Sequence, residues 1–317
     1  MTILPVEPAF RLPDQPEDKR WMVEDLWLEQ AVGIIGGEPK CCKSFLALDI
    51  AVSVASATPC LRHFAVDKPG RVLLYAAEDP LHVVRERLYG ISAAAGVRLE
   101  NLDLEVITAP TLRLDLGTDR TNLAETVAAI RPRLLLLDPF IRLHRIDENA
   151  SGEVAPLLAF LRELQRLYNV AVILVHHARK GAGRIRGGQA LRGSSEFHAW
   201  GDSNLYMRRD GNDHLSLSVE HRAAASITAR TLNLVRRDKA LALELVAKEP
   251  QGSPAGKVLS LDERIIAALS TAQPRPLADL RANCRARTAT LCERLNAMAA
   301  AGRIGKSGDG WYLLPLS

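Results

Sequence analysis

Four apolar runs stand out along the chain, and polar residues follow each of them. They cover residues 31–35, 72–77, 134–137 and 170–175. Continuous apolar runs of this length are typical of strands that are buried on both faces. Helical patterns lie between and after them, at residues 45–52, 81–88, 122–130 and 154–167. The alternation predicts an α/β domain in which helices cover both faces of a mostly parallel sheet.

The first run leads into a glycine-opened loop that ends in Lys-Ser. A strand, such a loop and a helix form a phosphate-binding loop of the Walker A kind, where backbone N–H groups at a helix N-terminus surround the phosphate. We expect Lys43 to reach the β- and γ-phosphates of ATP and Ser44 to bind Mg²⁺. The predicted nucleotide-binding residues are Gly37, Glu38, Pro39, Lys40, Cys41, Cys42, Lys43, Ser44 and Phe45.

One position departs from the Walker A pattern. Glycine normally precedes the lysine, and here the residue is Cys42. Glycine is favoured where the backbone needs a positive φ, and a side chain in that conformation costs roughly 1–2 kcal/mol. A well-packed fold tolerates this cost, so we expect the loop to form, with weaker nucleotide binding or slower hydrolysis. The alternative is a chance Gly…Lys-Ser sequence in a turn.

Carboxylates and histidines follow the other three apolar runs. Glu78 follows residues 72–77, Asp138 follows residues 134–137, and His176 and His177 follow residues 170–175. Ligands of parallel sheets bind beyond the carboxyl ends of the strands. Asp138 matches the Walker B pattern, in which a carboxylate holds Mg²⁺. Adjacent strand residues point in opposite directions, so at most one histidine faces a nucleotide; the alternative is a packed or solvent-facing pair.

Residues 178–195 are rich in glycine, and their sequence contains no acidic residue. A flexible cationic segment of this kind suits contact with a nucleic-acid phosphate backbone, and the alternative is a solvated loop. Its cations are Arg179, Lys180, Arg184, Arg186 and Arg192.

The C-terminal part has the pattern of a small separate domain. Three helical patterns and a hairpin signal follow a Pro/Gly/Ser-rich linker, and this order predicts a winged helix-turn-helix. Its third helix, led by Arg285, Arg287, Thr288 and Thr290, would enter a DNA major groove while Lys306 contacts phosphate. Contact with another protein is the alternative. The predicted domains are an extended lead-in at 1–25, an ATPase domain at 26–249, the linker at 250–258 and the winged helix at 259–317.

Length and composition indicate the number of domains and the cellular compartment of the protein. The length of 317 residues fits two domains. Five cysteines without a CxxC motif favour a reducing compartment. No apolar run has the length of a membrane span, and the proline-rich N-terminus lacks a signal-peptide pattern, so we expect a cytoplasmic protein. Residues 21–27 are amphipathic and would pack on the following domain or on a neighbouring subunit.

The order of these motifs resembles the RepA-like branch of the RecA-type ATPases, which includes hexameric replicative helicases of plasmids and ATPases of phage and mobile elements. The resemblance covers about residues 20–247. It rests on the motifs at residues 37–44, 77–80, 137–139, 147–149, 176–180 and 192–195.

The resemblance implies roles that the motifs alone do not give. Glu78 would orient water onto the γ-phosphate of ATP, and His177 would sense that phosphate. The segment from Lys180 to Arg192 would line a central channel for single-stranded DNA. Arg222 would be an arginine finger for the neighbouring subunit of a hexamer, with Arg208 as the alternative.

The leading hypothesis is therefore a Mg²⁺–ATP-dependent, DNA-associated ring ATPase or helicase-like motor of a plasmid, phage or mobile element. A second hypothesis, prompted by Cys42 and the winged helix, is a nucleotide-regulated protein that binds DNA or recruits a partner with little ATP turnover. A small-molecule kinase is the third, and no acceptor pocket can be identified for it in the sequence.

Overall fold

The structure is a computed structural model of the chain. It describes residues 4–12, 20–177, 196–209, 214–237, 240–246, 261–269, 273–284, 288–308 and 310–314. The chain divides into two compact units, Met1–Val246 and Ala247–Ser317.

The first unit is built on a mixed sheet. Its strands are β1 (Trp21–Val23), β2 (Trp27–Leu28), β3 (Val32–Gly37), β4 (Val72–Ala76), β5 (Leu104–Val106), β6 (Leu134–Asp138), β7 (Ala171–His177), β8 (Ser203–Arg209), β9 (Leu215–His221), β10 (Arg230–Arg237) and β11 (Ala240–Leu245). β1 and β2 form a separate antiparallel hairpin. In the described residues the other nine strands form one sheet, in the order β11-β10-β9-β8-β3-β7-β6-β4-β5.

The sheet has a parallel half and an antiparallel half. From β8 to β5 every neighbouring pair is parallel. From β8 to β11 every pair is antiparallel. The parallel half confirms the predicted α/β fold, and Asp138 and His177 lie at its carboxyl ends.

Helices cover both faces of the parallel half. They are α1 (Lys43–Ser56), α2 (Leu81–Ala94), α3 (Gly117–Ile130), α4 (Ser151–Tyr168) and the short α5 (Glu196–Trp200). Leu134 and Leu136 of β6 pack in the same core cluster as α1 and α2, whereas Leu135 and Leu137 join the cluster of α3 and α4. All four leucines are fully buried, and each contributes about 1.5–3 kcal/mol of transfer free energy. None of the helices in the described residues is long and apolar enough to span a membrane.

Some elements differ from the sequence-based expectations. α2 continues to Ala94 and α3 begins at Gly117, so both helices are longer than their predicted apolar patterns. β11 was not predicted, because its Ala, Leu and Glu residues favour helices; its pairing with β10 overrides that preference. Residues 21–28 form the β1–β2 hairpin, and Met22 and Trp27 are fully buried in the core of their own unit.

The second unit contains three helices followed by a two-stranded antiparallel hairpin. Its core includes Ile265, Leu280, Leu291 and Leu295. The elements are α6 (Leu261–Ala268), α7 (Leu277–Cys284), α8 (Thr288–Ala300), β12 (Ile304–Ser307) and β13 (Gly310–Leu313).

Two of the residues predicted to contact DNA, Arg285 and Arg287, lie outside the described residues of the second unit. Thr288 and Thr290 are exposed on α8. The ammonium group of Lys306 lies 5.2 Å from the ring centre of Trp311. The winged-helix assignment of this unit stays a prediction.

Candidate nucleotide-binding site

The phosphate loop connects the end of β3 to the start of α1. Gly37 is the last residue of β3, and a Cβ atom placed there would lie 2.2 Å from the backbone oxygen of Met207 and 2.7 Å from the Sγ of Cys41. The φ angle of Gly37 is 156°, a value that side chains rarely allow. Because the neighbouring atoms include backbone of β8, no small adjustment relieves the contact, and only glycine fits.

Cys42 adopts the left-handed conformation that glycine normally supplies. Its φ and ψ angles are 63° and 27°, and it stands at the N-cap of α1. Its side chain is partly exposed and lies beside Arg209. Arg209 also donates a hydrogen bond to the backbone oxygen of Lys40, at 3.1 Å. The loop therefore keeps the backbone shape of a phosphate loop, with an arginine from the end of β8 against its outer side.

Lys43 is turned into the loop in this structure. Its side chain is buried, and its Nζ donates to the backbone oxygen of Glu38 at 2.8 Å and lies 3.9 Å from the Sγ of Cys41. Burial lowers the pKa of Lys43, and the nearby Asp138 and Glu78 carboxylates oppose this effect. Phosphate oxygens are stronger acceptors than a neutral carbonyl, so a bound triphosphate would displace Glu38 as the partner of the ammonium group.

Ser44 and Asp138 form the part of the site that suits a magnesium ion. The Asp138 carboxylate is only 8% exposed and lies beside the Ser44 side chain. Burial raises the pKa of Asp138 from 3.8 to about 6, although Ser44 and Lys43 lower it. Two adjacent hard oxygen ligands beside the phosphate loop are the donor set that Mg²⁺ prefers. The residues present therefore fit the metal that a P-loop fold implies.

Glu78 and Asp79 lie at the same edge of the sheet. Ala76 of β4 is paired in register with Asp138 of β6, so Glu78 follows two residues beyond that pair. Arg142 donates from its Nε to an oxygen of Glu78 at 2.8 Å. Arg87 makes two hydrogen bonds to Asp79, at 2.5 and 3.1 Å. Each carboxylate thus has its own arginine.

The two adjacent histidines of β7 have different surroundings. His176 is buried and stacks edge-on against Phe197, with 4.3 Å between ring centres. His177 is partly exposed and is paired in register with Gly37 at the start of the phosphate loop. Burial lowers the pKa of His176 to about 4, so this imidazole is neutral at physiological pH. In the described part of the chain, no group of three or more His, Cys, Asp or Glu side chains is arranged to hold a metal ion.

The two arginines predicted as arginine fingers lie at opposite ends of the strands. Arg208 is near the carboxyl end of β8, which is the side of the sheet where the phosphate loop begins. Arg222 follows β9, and its backbone N–H bonds to Asp202 at the other end of the strands. The exposed Arg222 side chain lies 3.3 Å from an Asp202 oxygen and donates to the backbone oxygen of Ala199. Within one chain, Arg222 is therefore not part of the site formed by Lys43 and Glu78.

Five of the predicted DNA-binding residues, four of them in the segment 178–195, lie outside the described residues. They are Lys180, Arg184, Arg186, Arg192 and Arg287.

Sequence reasoning missed several residues around the site. Arg209, Arg87 and Arg142 reach it from β8, α2 and the turn after β6, and no motif in the sequence marks them. Phe45, which was predicted, lies 5.2 Å from the Arg87 guanidinium. His144 and Glu148 lie between β6 and α4; both are buried, and their side chains lie 3.4 Å apart.

Three solved structures have a similar fold. One is an isolated ATPase domain that is 13% identical, with a TM-score of 0.52 over 68% of this chain and 86% of that one. The second is a DnaB-like replicative helicase, described with its interactions with primase; it is 13% identical, with a TM-score of 0.52 over 68% of this chain and 59% of that one. The third is the RadB recombinase, which is 17% identical, with a TM-score of 0.51 over 69% of this chain and 91% of that one. At these identities the likeness concerns the fold.

A family match agrees with the fold and with the motifs of the site. The family described as AAA domain, AAA_25, matches residues 2–183, which is more than half of the chain and includes the phosphate loop, Glu78, Asp138 and His177. The chain therefore belongs to this family of AAA domains, and its first unit has a RecA-like fold.

Proposed function

We propose that this chain binds Mg²⁺–ATP at the carboxyl edge of its main sheet and hydrolyses it within a ring of identical, DNA-associated subunits. The observation that carries the proposal is the meeting of Lys43, the Ser44–Asp138 pair and Glu78 at one edge. These groups supply a phosphate-binding cation, two metal ligands and a carboxylate for the attacking water.

Each residue has a stated role in this proposal. Lys43 and the N–H groups of the loop bind the phosphates. Ser44 and Asp138 hold Mg²⁺, which when bound neutralises charge on the β- and γ-phosphate oxygens. Glu78 orients the water, and His177, beside Gly37, senses the γ-phosphate.

Arg222 completes the site of the neighbouring subunit. It is exposed and lies at the sheet edge away from its own phosphate loop, which is the arrangement that a residue acting in trans needs. Hydrolysis then depends on assembly, because a finger supplied by another subunit stabilises charge that develops in the transition state. Arg208 is the alternative finger.

The DNA contacts follow from charge in the sequence. Lys180, Arg184, Arg186 and Arg192 would line the centre of a hexameric ring and bind single-stranded DNA through its phosphates. The C-terminal unit, as a winged helix with Arg287 in its recognition helix, would bind duplex DNA or a protein. In this proposal the protein has a replicative or helicase-like role for a plasmid, phage or mobile element.

A complementation assay tests the composite site. Glu78→Gln and Arg222→Ala are each expected to lower turnover by about 100-fold or more when assayed alone. In a mixed assembly, some interfaces combine an intact Glu78 with an intact Arg222 from the next subunit, so part of the activity returns. Failure of the mixture to recover activity, while both variants still assemble, would reject Arg222 as a finger in trans.

DNA dependence is the second arm of the test. Wild-type turnover is measured with and without single-stranded DNA at low salt, and stimulation by DNA is expected. Absence of any ATP hydrolysis by assembled wild-type protein in the presence of DNA would reject the motor.

The left-handed Cys42 favours one other function, a nucleotide-regulated binding protein with little turnover. This alternative predicts ATP-dependent assembly and DNA binding that survive Glu78→Gln. A motor predicts that this variant binds ATP and assembles but loses its DNA-stimulated turnover. Measuring assembly, DNA binding and turnover on the same variant therefore separates the two functions.

A further inference from the structure

Two consecutive acidic residues, Glu78 and Asp79, follow β4. Each pairs with an arginine, but the two ion pairs connect different parts of the fold. Asp79 receives two hydrogen bonds from Arg87, eight residues further along, and both side chains are 25–30% exposed. Arg87 also lies over the ring of Phe45 in α1. This pair fixes the start of α2 against α1, which is a structural task.

The pair formed by Glu78 joins two segments of the nucleotide site. Arg142 is 64 residues away in sequence and is the last residue of the 3-10 turn Phe140–Arg142, which begins two residues after Asp138. Phe140 is fully buried, so the backbone of the turn is anchored. The side chains of Arg142 and Glu78 are 61% and 41% exposed, and a single contact of 2.8 Å joins them. The carboxylate is therefore held by a group that is itself free to swing into solvent.

We propose that Arg142 is a positioning residue that restrains Glu78 both before and after ATP binds, as long as DNA is absent, and so lowers the basal turnover. The inference rests on the proposed function, in which Glu78 orients the attacking water. A carboxylate oxygen that accepts the N–H of a guanidinium points toward that group and is less able to accept a hydrogen bond from water. The water-orienting geometry needs Arg142 to leave.

The exposure of the pair sets the size of the restraint. Exposed ion pairs shift an equilibrium by at most about fivefold, because solvent screens them and the side chains lose freedom when they pair. The pair therefore adds little to the stability of the fold. It does determine the direction of one carboxylate at the reacting edge, so its removal is expected to change turnover rather than folding.

The test measures kcat and KM for ATP without DNA in Arg142→Ala and Arg142→Lys. Loss of the guanidinium is expected to raise kcat about two- to fivefold and to leave KM within about twofold of wild type. The lysine variant keeps a cation near Glu78 and is expected to retain most of the restraint. Arg145→Ala is the matched control, because Arg145 is an exposed cation in the same segment and is not the arginine that contacts Glu78.

A double variant that combines Arg142→Ala with Glu78→Gln shows whether Arg142 acts through Glu78. In Glu78→Gln, the further change Arg142→Ala is expected to leave the residual turnover unaltered. An increase in both backgrounds, an unchanged kcat in the single variant, or a fall in kcat with a higher KM would each overturn the restraint. The last of these results would make Arg142 a substrate contact.

The outcomes also separate this inference from the proposed function. If Glu78→Gln turns over ATP as fast as wild type, the role of Glu78 fails, and the restraint fails with it. If Glu78→Gln is inactive and Arg142→Ala matches wild type, the restraint alone fails. Should Arg142→Ala lack a cooperative thermal transition, Arg142→Gln is measured in its place against the same criteria.

Discussion

The side chain of Ser44 lies beside the carboxylate of Asp138, which is buried at the end of β6. Burial raises the pKa of this carboxyl group to about 6. In the proposed function this carboxylate binds a cation, and burial makes its charge costly until the cation is bound. Function and stability make opposite demands on Asp138.

Replacing Asp138 by Asn is therefore expected to stabilise the nucleotide-free protein. The folded pKa of about 6 exceeds the unfolded value of 3.8, so the folded state holds the proton more tightly and this group loses stability as pH rises between these values. At a pH of about 7.5 the cost is at most about 3 kcal/mol. Asp138→Asn should raise the melting temperature in EDTA at that pH, as measured by circular dichroism.

The same variant should lose magnesium-dependent nucleotide binding. Titration with a fluorescent ATP analogue, with and without Mg²⁺, measures this. For wild type, affinity for the magnesium complex should decline below a pH of about 6, where Asp138 is protonated, and the variant should not show that decline. A variant that melts lower than wild type and still binds Mg²⁺–ATP normally would contradict this account of Asp138.

Cys42→Gly should increase ATP turnover more than it changes stability. Glycine relieves roughly 1–2 kcal/mol of strain in the left-handed conformation. It also increases the conformational entropy of the unfolded chain, which lowers the free energy of unfolding by about 0.4–1 kcal/mol. The two effects partly cancel, so the net change in stability stays near or below about 1 kcal/mol. Access of phosphate to the loop backbone improves, because no side chain stands at the N-cap of α1. Steady-state ATPase rates measure the effect.

Cys42→Ala is the matched control for the glycine variant. It removes the thiol and its contact with Arg209 but keeps a Cβ in the left-handed conformation. Turnover in the alanine variant should stay near wild type. Equal rates in all three proteins would show that the cysteine does not restrain hydrolysis.

Gly37→Ala should unfold the phosphate loop. The added Cβ would lie 2.2 Å from the backbone oxygen of Met207, so β3 and β8 would have to separate where they pair. We expect loss of ATP binding and a destabilisation of about 3 kcal/mol. Gly152→Ala is the control, since nothing lies within 4 Å of its Cβ position in α4, and alanine there should be neutral or stabilise by about 0.5–1 kcal/mol. Chemical denaturation compares both with wild type, and similar midpoints for the two variants would refute the steric argument.

The motifs predicted the centre of the fold well because strand, loop and helix carry strong local signals. The buried runs at β3, β4, β6 and β7 have few alternative structures, and the loop chemistry of Lys43 and Ser44 depends on neighbours in sequence. The β1–β2 hairpin and β11 were missed as strands because their stability comes from pairing and burial. Amphipathic residues 21–27 carried no hairpin signal, although their burial was among the alternatives.

The arginines around the site illustrate what sequence could not provide. Arg142 meets Glu78 across 64 residues, and Arg209 meets the Lys40 backbone across 169. Such pairs depend on the order of strands in the sheet. Strand periodicity likewise predicted that His176 and His177 point in opposite directions, but the side that each one faces depends on the packing of Phe197 and the register of β7 with β3.

His176 should make the protein more sensitive to acid, in the direction opposite to Asp138. Its folded pKa of about 4 lies below the ordinary 6.5, so the unfolded state takes up the proton first, and stability falls as pH drops through that window. When the pH falls from about 7 to about 5, protonation linked to His176 should lower the free energy of unfolding by about 2 kcal/mol. Protonation linked to Asp138 should raise it by about 1 kcal/mol over the same range. The two effects largely oppose each other in wild type.

Variants at the two positions should therefore change the pH dependence in opposite senses. From about pH 7 to about pH 5 in EDTA, His176→Leu should lose less stability than wild type, and Asp138→Asn should lose more. Packing changes shift the unfolding free energy equally at both pH values, so only the difference between the two pH values is compared. If His176→Leu proves as acid-sensitive as wild type, proton uptake by the imidazole of His176 does not contribute to acid unfolding, which would contradict this account.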